Sequence, residues 1–588
     1  MAKKWILPAD NRQHVTRLTD SLRIGEVTAR MLANRGLTDV GLAQQFLQPS
    51  LHQLRDPCED PSVRGAAAFL MDAIREGKRI TVFGDYDADG ICAAAVLMRA
   101  LRFLDASADI YIPHRIEEGY GLSCDALREL AGAGTDLIVT VDCGICAARE
   151  VALAHELGMH VVVTDHHEPR DNQPEVPHLL NPKLPQCCFG YQYLAGVGVA
   201  FKLVWALGQQ LSEEEKVSEE FKDLLMEALA LVAIGTVADV VPLVDENRVL
   251  VHYGLKTIAG ADRPGLTALL EAARVNSNYV SASDIAFRVA PLLNAAGRMG
   301  KPDAAVQLLT TWDGARAGEL AAELSRQNRR RRRVQSAACK EAVRVVRETD
   351  GLSESNCIVL SGPDWHQGIA GLVASRVAET FWRPTFVLTT DGETAQGSAR
   401  SIGGFPLYRA VERCADLLDR FGGHEGAAGV AMPVGNLEEF RERINEVAAE
   451  LTPVEAPTPE LALDGEFQLS QLSLDLLREL DLLAPFGEGN PPPLFAASGL
   501  RVVGNPRTVG SGNTHLAFMV RQGNTTLRAF AAGKAEWLDH FRARRGEEFS
   551  LAFEPNINRY GGTPKVEMRV EDLQWDEERL VERRPSPE

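Results

Sequence analysis

Between Arg79 and Thr164 the chain repeats one alternation, a short apolar run followed by a stretch of helical periodicity. Arg79-Ile-Thr-Val-Phe83, Asp109 to Ile112, Leu137-Ile-Val-Thr-Val141 and His160-Val-Val-Val-Thr164 read as strands. Ile91 to Leu104, Ser123 to about Ala133 and Ala147 to Leu157 read as the helices between them, with Ser123 suited to an N-cap. Strand, helix, strand repeated in this way predicts a parallel sheet with helices on both faces. No window reaches the ~18 uninterrupted apolar residues of a membrane helix. The apolar run after Met1-Ala-Lys-Lys is cut off at Pro8, which argues against a signal peptide. Ten irregularly spaced cysteines in 588 residues then read as free thiols of a reducing compartment, the cytoplasm. A net charge of -19 excludes a protein that coats nucleic acid with its whole surface, yet it leaves room for a local basic groove.

The remaining chain divides by composition. A helical region from Ala195 to about Thr236 is broken by the acidic stretch Ser212 to Glu220, which has the character of a solvated loop or helix face. Asp313 to Glu348 lacks proline and reads as one long helix between two α/β regions. It carries Arg329 to Arg333, which fits either a solvated surface or a phosphate-facing one. Five successive residues wrap around a helix, so only some of them can face one ligand. A second α/β unit runs from Cys357 to Leu451, and the Pro-rich Thr452 to Glu460 reads as a linker. Leu500 to Val503, His515 to Val520, Thr526 to Ala531, Phe549 to Phe553 and Lys565 to Val570 read as short strands, with a helix near Ala535 to Phe541. Five strands with a helix before the fourth suggest an OB-type β-barrel. The expected chain is α/β and multidomain: an N-terminal helical segment (1–60), a parallel-sheet domain (61–312), a connector helix (313–349), a smaller α/β domain (350–452), the barrel (460–576) and a disordered tail (577–588).

The first strand runs into Gly84-Asp-Tyr-Asp-Ala-Asp-Gly90. Three carboxylates at alternate positions repel one another, and a metal ion is the natural reason to gather them. An Asx-rich turn with a helix N-cap is the plainer alternative, and an EF-hand fails because no Glu closes the loop. The third strand ends at Asp142 and the fourth at Asp165-His166-His167, so three clusters meet at the carboxyl edge of one sheet, where such folds place ligands. Asp and His without an obligatory thiolate suit Mg²⁺ or Mn²⁺, and imidazole favours Mn²⁺. Asp239 lies in the apolar Gly235-Thr-Val-Ala-Asp-Val-Val-Pro-Leu243, where an unpaired charge would be costly. Cys143 and Cys146 have zinc spacing but no second pair, so they read as small thiols beside Asp142. Gly196-Val-Gly198 is too short for a dinucleotide fingerprint and reads as helix packing.

Together, Asp-Tyr-Asp-Ala-Asp-Gly, Val-Asp-Cys-Gly, Asp-His-His and Val-Ala-Asp-Val resemble the DHH phosphoesterase superfamily. Leu293-Asn-Ala-Ala-Gly-Arg-Met299, Trp365-His-Gln-Gly-Ile-Ala-Gly371, Gly397-Ser-Ala-Arg-Ser401, Gly422-Gly-His-Glu-Gly-Ala-Ala-Gly429 and Pro485-Phe-Gly-Glu-Gly-Asn-Pro491 narrow the resemblance. They point to the RecJ family, single-strand-specific 5′→3′ DNA exonucleases of bacteria, over about Val82 to Leu573. The resemblance implies a DHH domain, a DHH-associated domain and an OB domain. It implies two divalent cations, Mn²⁺ or Mg²⁺, held by Asp85, Asp87, Asp89, Asp142, His166 and Asp239, with Asp142 bridging. Asp165 would orient the histidines and His167 would face the scissile phosphate, so that Asp87, Asp142, His166 and His167 form the catalytic centre. Phe83 stands where the wider superfamily often has a histidine, and Asp85 would take over that role.

Arg298, His366, Ser398, Arg400, Ser401, Gly423 and His424 would bind DNA. In that set the hydroxyls and guanidinium of Ser398 to Ser401 would grip a phosphate from an extended segment, and Gly423 and His424 would offer N–H groups from a Gly-rich turn. His366 would meet the 5′ end and Arg298 a nearby phosphate. Phe518, Phe530 and Phe553 are candidate stacking platforms, some of which must be core. The implied reaction is two-metal hydrolysis releasing 5′-mononucleotides, in recombination and repair, by a monomer whose partners are single-stranded DNA and a single-stranded-DNA-binding protein. A DHH phosphodiesterase acting on oligoribonucleotides or cyclic dinucleotides is an alternative that the added OB domain disfavours. A non-catalytic DNA-binding scaffold is another, disfavoured by carboxylates at every metal position.

Overall fold

The strands at Leu137–Val141 and His160–Thr164 form as the sequence predicts, and their neighbours Ile80–Gly84 and Ala108–Tyr111 are each within one residue of expectation. The computed structural model describes residues 3–115, 117–170, 172–212, 216–260, 263–300, 302–452, 459–558, 563–575 and 581–584. It comprises two units, one of residues 54–242 with 246–457, the other of residues 1–53 with 243–245 and 458–588.

In the first unit a five-stranded, all-parallel sheet runs in the order Ala108–Tyr111, Ile80–Gly84, Leu137–Val141, His160–Thr164, Leu179–Leu180. Gly84 lies opposite Val141, and Val141 opposite Thr164, so the three central strands end level. That register brings the loops after them to one edge. Every residue of Ile80–Gly84 and Leu137–Val141 is buried, as a sheet covered on both faces requires. The helix Ala88–Phe103 packs against Gly196–Ser212 and Glu219–Ala238 through a run of small residues, among them Ala93, Ala94 and Ala95.

The long helix forms over Gly314–Glu348 with Asp313 as its cap, its carboxylate accepting the N–H groups of Ala315 and Arg316. It packs against Ala290–Met299 on one side and Ala370–Phe381 on the other, joining the two α/β parts of this unit. The second sheet is mixed, in the order Arg420–His424, Ala427–Pro433, Thr394–Arg400, Thr385–Thr390, Ile358–Gly362, with only the last pair parallel.

The second unit holds the barrel. Phe495–Val509, His515–Gln522, Thr525–Ala531, Lys565–Trp575 and Phe549–Asn558 pair in turn, and Phe549–Asn558 pairs back with Phe495–Val509 to close the ring. The helix Trp537–Ala543 precedes Phe549–Asn558, the position the sequence predicts. Phe518 and Phe553 are core and unavailable for stacking, whereas Phe530 is half-buried beside His515, with ring centres 5.6 Å apart.

Two features differ from expectation. The N-terminal segment opens with a strand, Lys4–Leu7, which pairs in parallel with Glu460–Ala462 and Val581–Arg583. The last of these lies inside the stretch expected to be a disordered tail. Four residues whose partners sit near the other end of the chain carry no local pattern to read. The helices that follow are also not a separate layer: Leu18, Met31, Leu32 and Phe46 join one core with Phe467, Phe495 and Phe553. Residues 213–215 of the acidic stretch, 453–458 of the Pro-rich linker and 577–580 and 585–588 of the tail lie outside the described residues. Among the described residues no helix is long and apolar enough to cross a membrane.

Candidate active site

The loop after the first strand is both a turn and an acidic cluster. Asp87 caps the helix Ala88–Phe103, its Oδ1 accepting the N–H groups of Asp89 (2.9 Å) and Gly90 (3.2 Å), which leaves the other oxygen for a ligand. Asn294 fixes the loop by accepting the N–H of Ala88 at 2.7 Å. Asp89 turns the other way and accepts the N–H groups of Gly196 (2.6 Å) and Val197 (3.1 Å) at the start of Gly196–Ser212, where the helix dipole favours a carboxylate. Gly196-Val-Gly198 is therefore an anchor for a candidate ligand as well as a packing motif. Backbone donors carry no side-chain signature, so the sequence could not reveal it. A Cβ on Gly196 would lie 2.4 Å from Asp142 Oδ1, and one on Gly235 would lie 2.5 Å from Asp89 Oδ1.

Asp142 sits at the end of its strand with φ 63°, the left-handed region that Asp tolerates better than most residues. Val240, directly after Asp239, also has φ 63°; for a β-branched residue that is real strain, of order 1–3 kcal/mol, held by the surrounding structure. Three groups of possible metal ligands result: Asp85, Asp87 and Asp142; Asp89, His166 and Asp239; and Asp142, His166 and His167. His166 Nε2 lies 3.1 Å from Asp142 Oδ1 and 3.5 Å from Asp239 Oδ2.

Asp85 Oδ1, Asp142 Oδ1 and His166 Nε2 are buried and have no hydrogen-bond partner among the described residues. Acceptors that face one another without a donor are costly, and a cation relieves all of them at once. The electrostatics agree. Burial and neighbouring carboxylates push Asp85, Asp142 and Asp239 well above the usual carboxylate range, and Asp89 up to about 7. Burial and the His167 charge push His166 down to about 3, so its imidazole is neutral, the state that binds metals. The oxygen-rich donor set with one imidazole fits Mg²⁺ or Mn²⁺.

Asp165 is fully buried and works differently. It accepts the N–H groups of Ile145 (2.9 Å), His166 (2.7 Å) and His167 (3.1 Å), and its Oδ1 lies 2.7 Å from His167 Nδ1. Burial opposes ionisation of Asp165, but these bonds and the His167 charge outweigh it and lower its pKa. Burial would likewise lower His167, yet the hydrogen bond and charge of Asp165 raise it to about 9. His167 is thus a half-exposed cation at the centre's edge, with its Nδ1 engaged by Asp165. Tyr120, which the sequence reading missed, supports it: the hydroxyl lies 3.1 Å from His167 Nδ1 and donates to the Asp142 carbonyl at 3.2 Å. Phe83 is a core residue stacked on Tyr111 at 5.1 Å and makes no contribution to the centre.

Beside the carboxylates lies a cluster of arginines. Arg298, at the end of Ala290–Met299, donates to the Gly368 carbonyl at 3.2 Å. Burial and then the charges of Arg115 and Arg331 push it down to about 10. Burial, followed by the charge of Arg115, lowers Arg400, and burial lowers Arg331, whose Nε is buried without a partner. Among the described residues none of these four arginines has a carboxylate within ion-pair distance. Cations packed together without ion-pair partners favour binding of an anion. Within the Arg329 to Arg333 run, the inward one is Arg331, while Arg329, Arg330, Arg332 and Arg333 are exposed.

The other predicted DNA contacts divide. Ser398 and Arg400 share one strand, Thr394–Arg400, at alternate positions. Ser401 lies past its end, and its hydroxyl is engaged within the chain, donating to the Phe405 carbonyl at 2.7 Å. Gly423 and His424 belong to the strand Arg420–His424 rather than to a turn, because Gly423 pairs with Ala428 and His424 with Ala427. His424 is exposed and feels the charges of Arg400 and His167. His366 caps a short helical turn, its Nδ1 accepting the Gly368 N–H at 3.1 Å. Cys143 and Cys146 remain free thiols.

Comparison with known proteins follows the same order along the chain. Residues 79–236 match the DHH family N-terminal domain, residues 354–450 the DHHA1 domain and residues 463–572 the RecJ OB domain. The single-stranded-DNA-specific exonuclease RecJ of Dickeya dadantii is 36% identical over 573 residues, 95% of this chain and 97% of that one. The Bacillus subtilis protein of the same name is 35% identical over 583 residues, 99% of this chain and 72% of that one. Among solved structures, RecJ from Thermus thermophilus in complex with Mn²⁺ matches with a TM-score of 0.81 at 33% identity, covering 97% of this chain and 79% of that one. The same protein in complex with Mg²⁺ matches with a TM-score of 0.73 at 32% identity, over 97% and 78% of the two chains.

Proposed function

The chain belongs to the RecJ family of single-stranded-DNA-specific exonucleases, and from that premise we propose that it degrades single-stranded DNA from the 5′ end to 5′-mononucleotides. Asp85, Asp87, Asp89, Asp142, His166 and Asp239 bind its divalent cations. The observation that carries this reading is the set of buried acceptors on Asp85, Asp142 and His166 that no donor among the described residues satisfies. When bound, a pair of such ions activates a water and offsets charge on the attacking and leaving oxygens. Asp142 is within ligand reach of both Asp85 with Asp87 and His166, which suits a bridging carboxylate.

The protein's own groups do the rest. Asp165 holds His167 as a cation that donates a hydrogen bond to the scissile phosphate as charge develops there. Arg298, Arg400 and Ser398 seat the phosphate at the strand's 5′ end, with His366 and His424 at the border of that seat. The barrel adds affinity for longer strands, with Phe530 as the stacking surface among the three aromatic candidates. Recombination and repair are the setting, in the cytoplasm, with a single-stranded-DNA-binding protein as partner.

The test is hydrolysis of 5′- and 3′-labelled single strands, a duplex and a cyclic dinucleotide, each with Mg²⁺, Mn²⁺ or EDTA. Metal-dependent release of 5′-mononucleotides from the 5′ end of the single strand alone is expected. Equal turnover of the cyclic dinucleotide, or no metal dependence, would contradict the assignment.

A further inference from the structure

Two sets of cations border the carboxylate cluster. The Arg115 guanidinium lies 4.8 Å from the centre of the Tyr86 ring, between Asp85 and Asp87, and Arg298 is on the helix whose Asn294 holds the Ala88 N–H, so the arginines stand at the Asp85–Asp87 end. Lys183 stands at the His166–Asp239 end, where its charge acts on both, while His424 feels Lys183 and Arg400 alike.

Lys183 is held there by the backbone. Asn181 is fully buried; its Nδ2 donates to the His167 carbonyl at 2.8 Å and its Oδ1 accepts the Lys183 N–H at 2.9 Å. The turn that presents Lys183 is thereby tied to the Asp165–His167 loop. The lysine side chain is only 21% exposed, and its ion pair is with Glu168, 2.9 Å away on a side chain that is 74% exposed. A pair so open to water is screened and contributes little, so Glu168 is easily displaced. A lysine ammonium carries three donors, so this loose pair leaves capacity for an anion that enters the site. Glu168 points its charge to solvent, which leaves that place to another anion.

We propose that Lys183 binds the internucleotide phosphate on the 3′ side of the scissile one, displacing Glu168 as the strand enters. This rests on the reading of the arginine cluster as the seat of the 5′ end. A strand seated there lays its reacting phosphate over the carboxylates and carries its next phosphate to the far border, where Lys183 stands.

The experiment uses the full-length enzyme, with Mn²⁺, on 5′-phosphorylated single strands in which one phosphate at a time is replaced by an uncharged methylphosphonate. Lys183→Ala should raise KM about tenfold, with the loss falling on KM rather than kcat, while Lys183→Arg keeps most of the affinity. Wild type should lose the same factor when the phosphate 3′ of the scissile one is neutralised, and Lys183→Ala should lose nothing further at that position. Mn²⁺ affinity measured by calorimetry on Lys183→Ala should match wild type, separating phosphate contact from damage to the fold. Coupling to any other phosphate, or to none, overturns the proposal, as does a kcat loss on a dinucleotide that lacks the downstream phosphate. A wild-type enzyme that degrades from the 3′ end overturns the underlying reading and this proposal with it.

Discussion

Alanine at Gly196 probes how tightly the candidate centre is built. The added Cβ would lie 2.4 Å from Asp142 Oδ1 and 2.6 Å from both Cβ and Cγ of the same side chain. Ordinary contact begins at 3.4 Å, so Asp142 must retreat by roughly 1 Å. It has little room, being buried at the end of a central strand with φ 63°. The retreat also shifts the oxygen that lies 3.1 Å from His166 Nε2. A misplacement of about 1 Å costs on the order of 100-fold in rate, equivalent to about 2.7 kcal/mol of barrier. Overpacking costs a further ~1–3 kcal/mol of stability. Exonuclease rate on a labelled strand, a calorimetric Mn²⁺ titration and thermal unfolding read the three effects. Gly198→Ala is the control, because the atoms nearest its Cβ are those of the Leu194 side chain, at 3.3 Å and beyond. Gly196→Ala with wild-type rate and metal affinity would refute the reasoning.

In metal-free enzyme the raised carboxylates, with Asp89 near 7, let the folded state hold more protons than the unfolded one. Their contribution to stability is present below about pH 4 and is lost as pH rises toward about 7. The gain in Tm from saturating Mn²⁺ should therefore grow across that window, since the ion displaces those protons; a gain independent of pH would contradict this. Deleting residues 453–588 alone strips the partners of Leu18, Met31, Leu32 and Phe46, so that protein should aggregate on size exclusion, whereas one lacking residues 1–53 as well should run as a single species. Equal behaviour of the two would argue against a shared core. Arg331→Ala should weaken strand binding and lower the salt slope by about 1, while Arg332→Ala, on the exposed side of the connector helix, should change it less; the reverse order would reject the inward role of Arg331.

The parallel sheet was legible because its strands carry their own signal: short apolar runs separated by helices leave few alternatives. The candidate ligands were legible for the same reason, since each sits just past a strand whose end was readable. What escaped depends on contacts across long separations. Lys4–Leu7 has no pattern until Glu460–Ala462 and Val581–Arg583 flank it. Gly196 holds Asp89 with a backbone N–H, and Tyr120 reaches His167 and Asp142 from a loop, neither of which residue type announces. Ser401 falls outside the alternation of Ser398 and Arg400, and it follows the strand's last residue, where its hydroxyl donates to the Phe405 carbonyl. Gly423 misled because a glycine-rich segment reads as a turn, while here it lies in a strand so close to its neighbour that a Cβ would sit 2.2 Å from the Ala427 carbonyl oxygen.

Anomalous diffraction from crystals soaked in Mn²⁺ tests the two-metal centre most directly. Two peaks are expected at the carboxyl edge of the parallel sheet, one bound by Asp85, Asp87 and Asp142, the other by Asp89, His166 and Asp239, with Asp142 in reach of both. Metal–oxygen and metal–nitrogen distances should be roughly 2.0–2.3 Å, and Asp142→Ala should remove at least one peak together with all cleavage. Peaks elsewhere in the protein, or full cleavage by Asp142→Ala with its metal content unchanged, would contradict it.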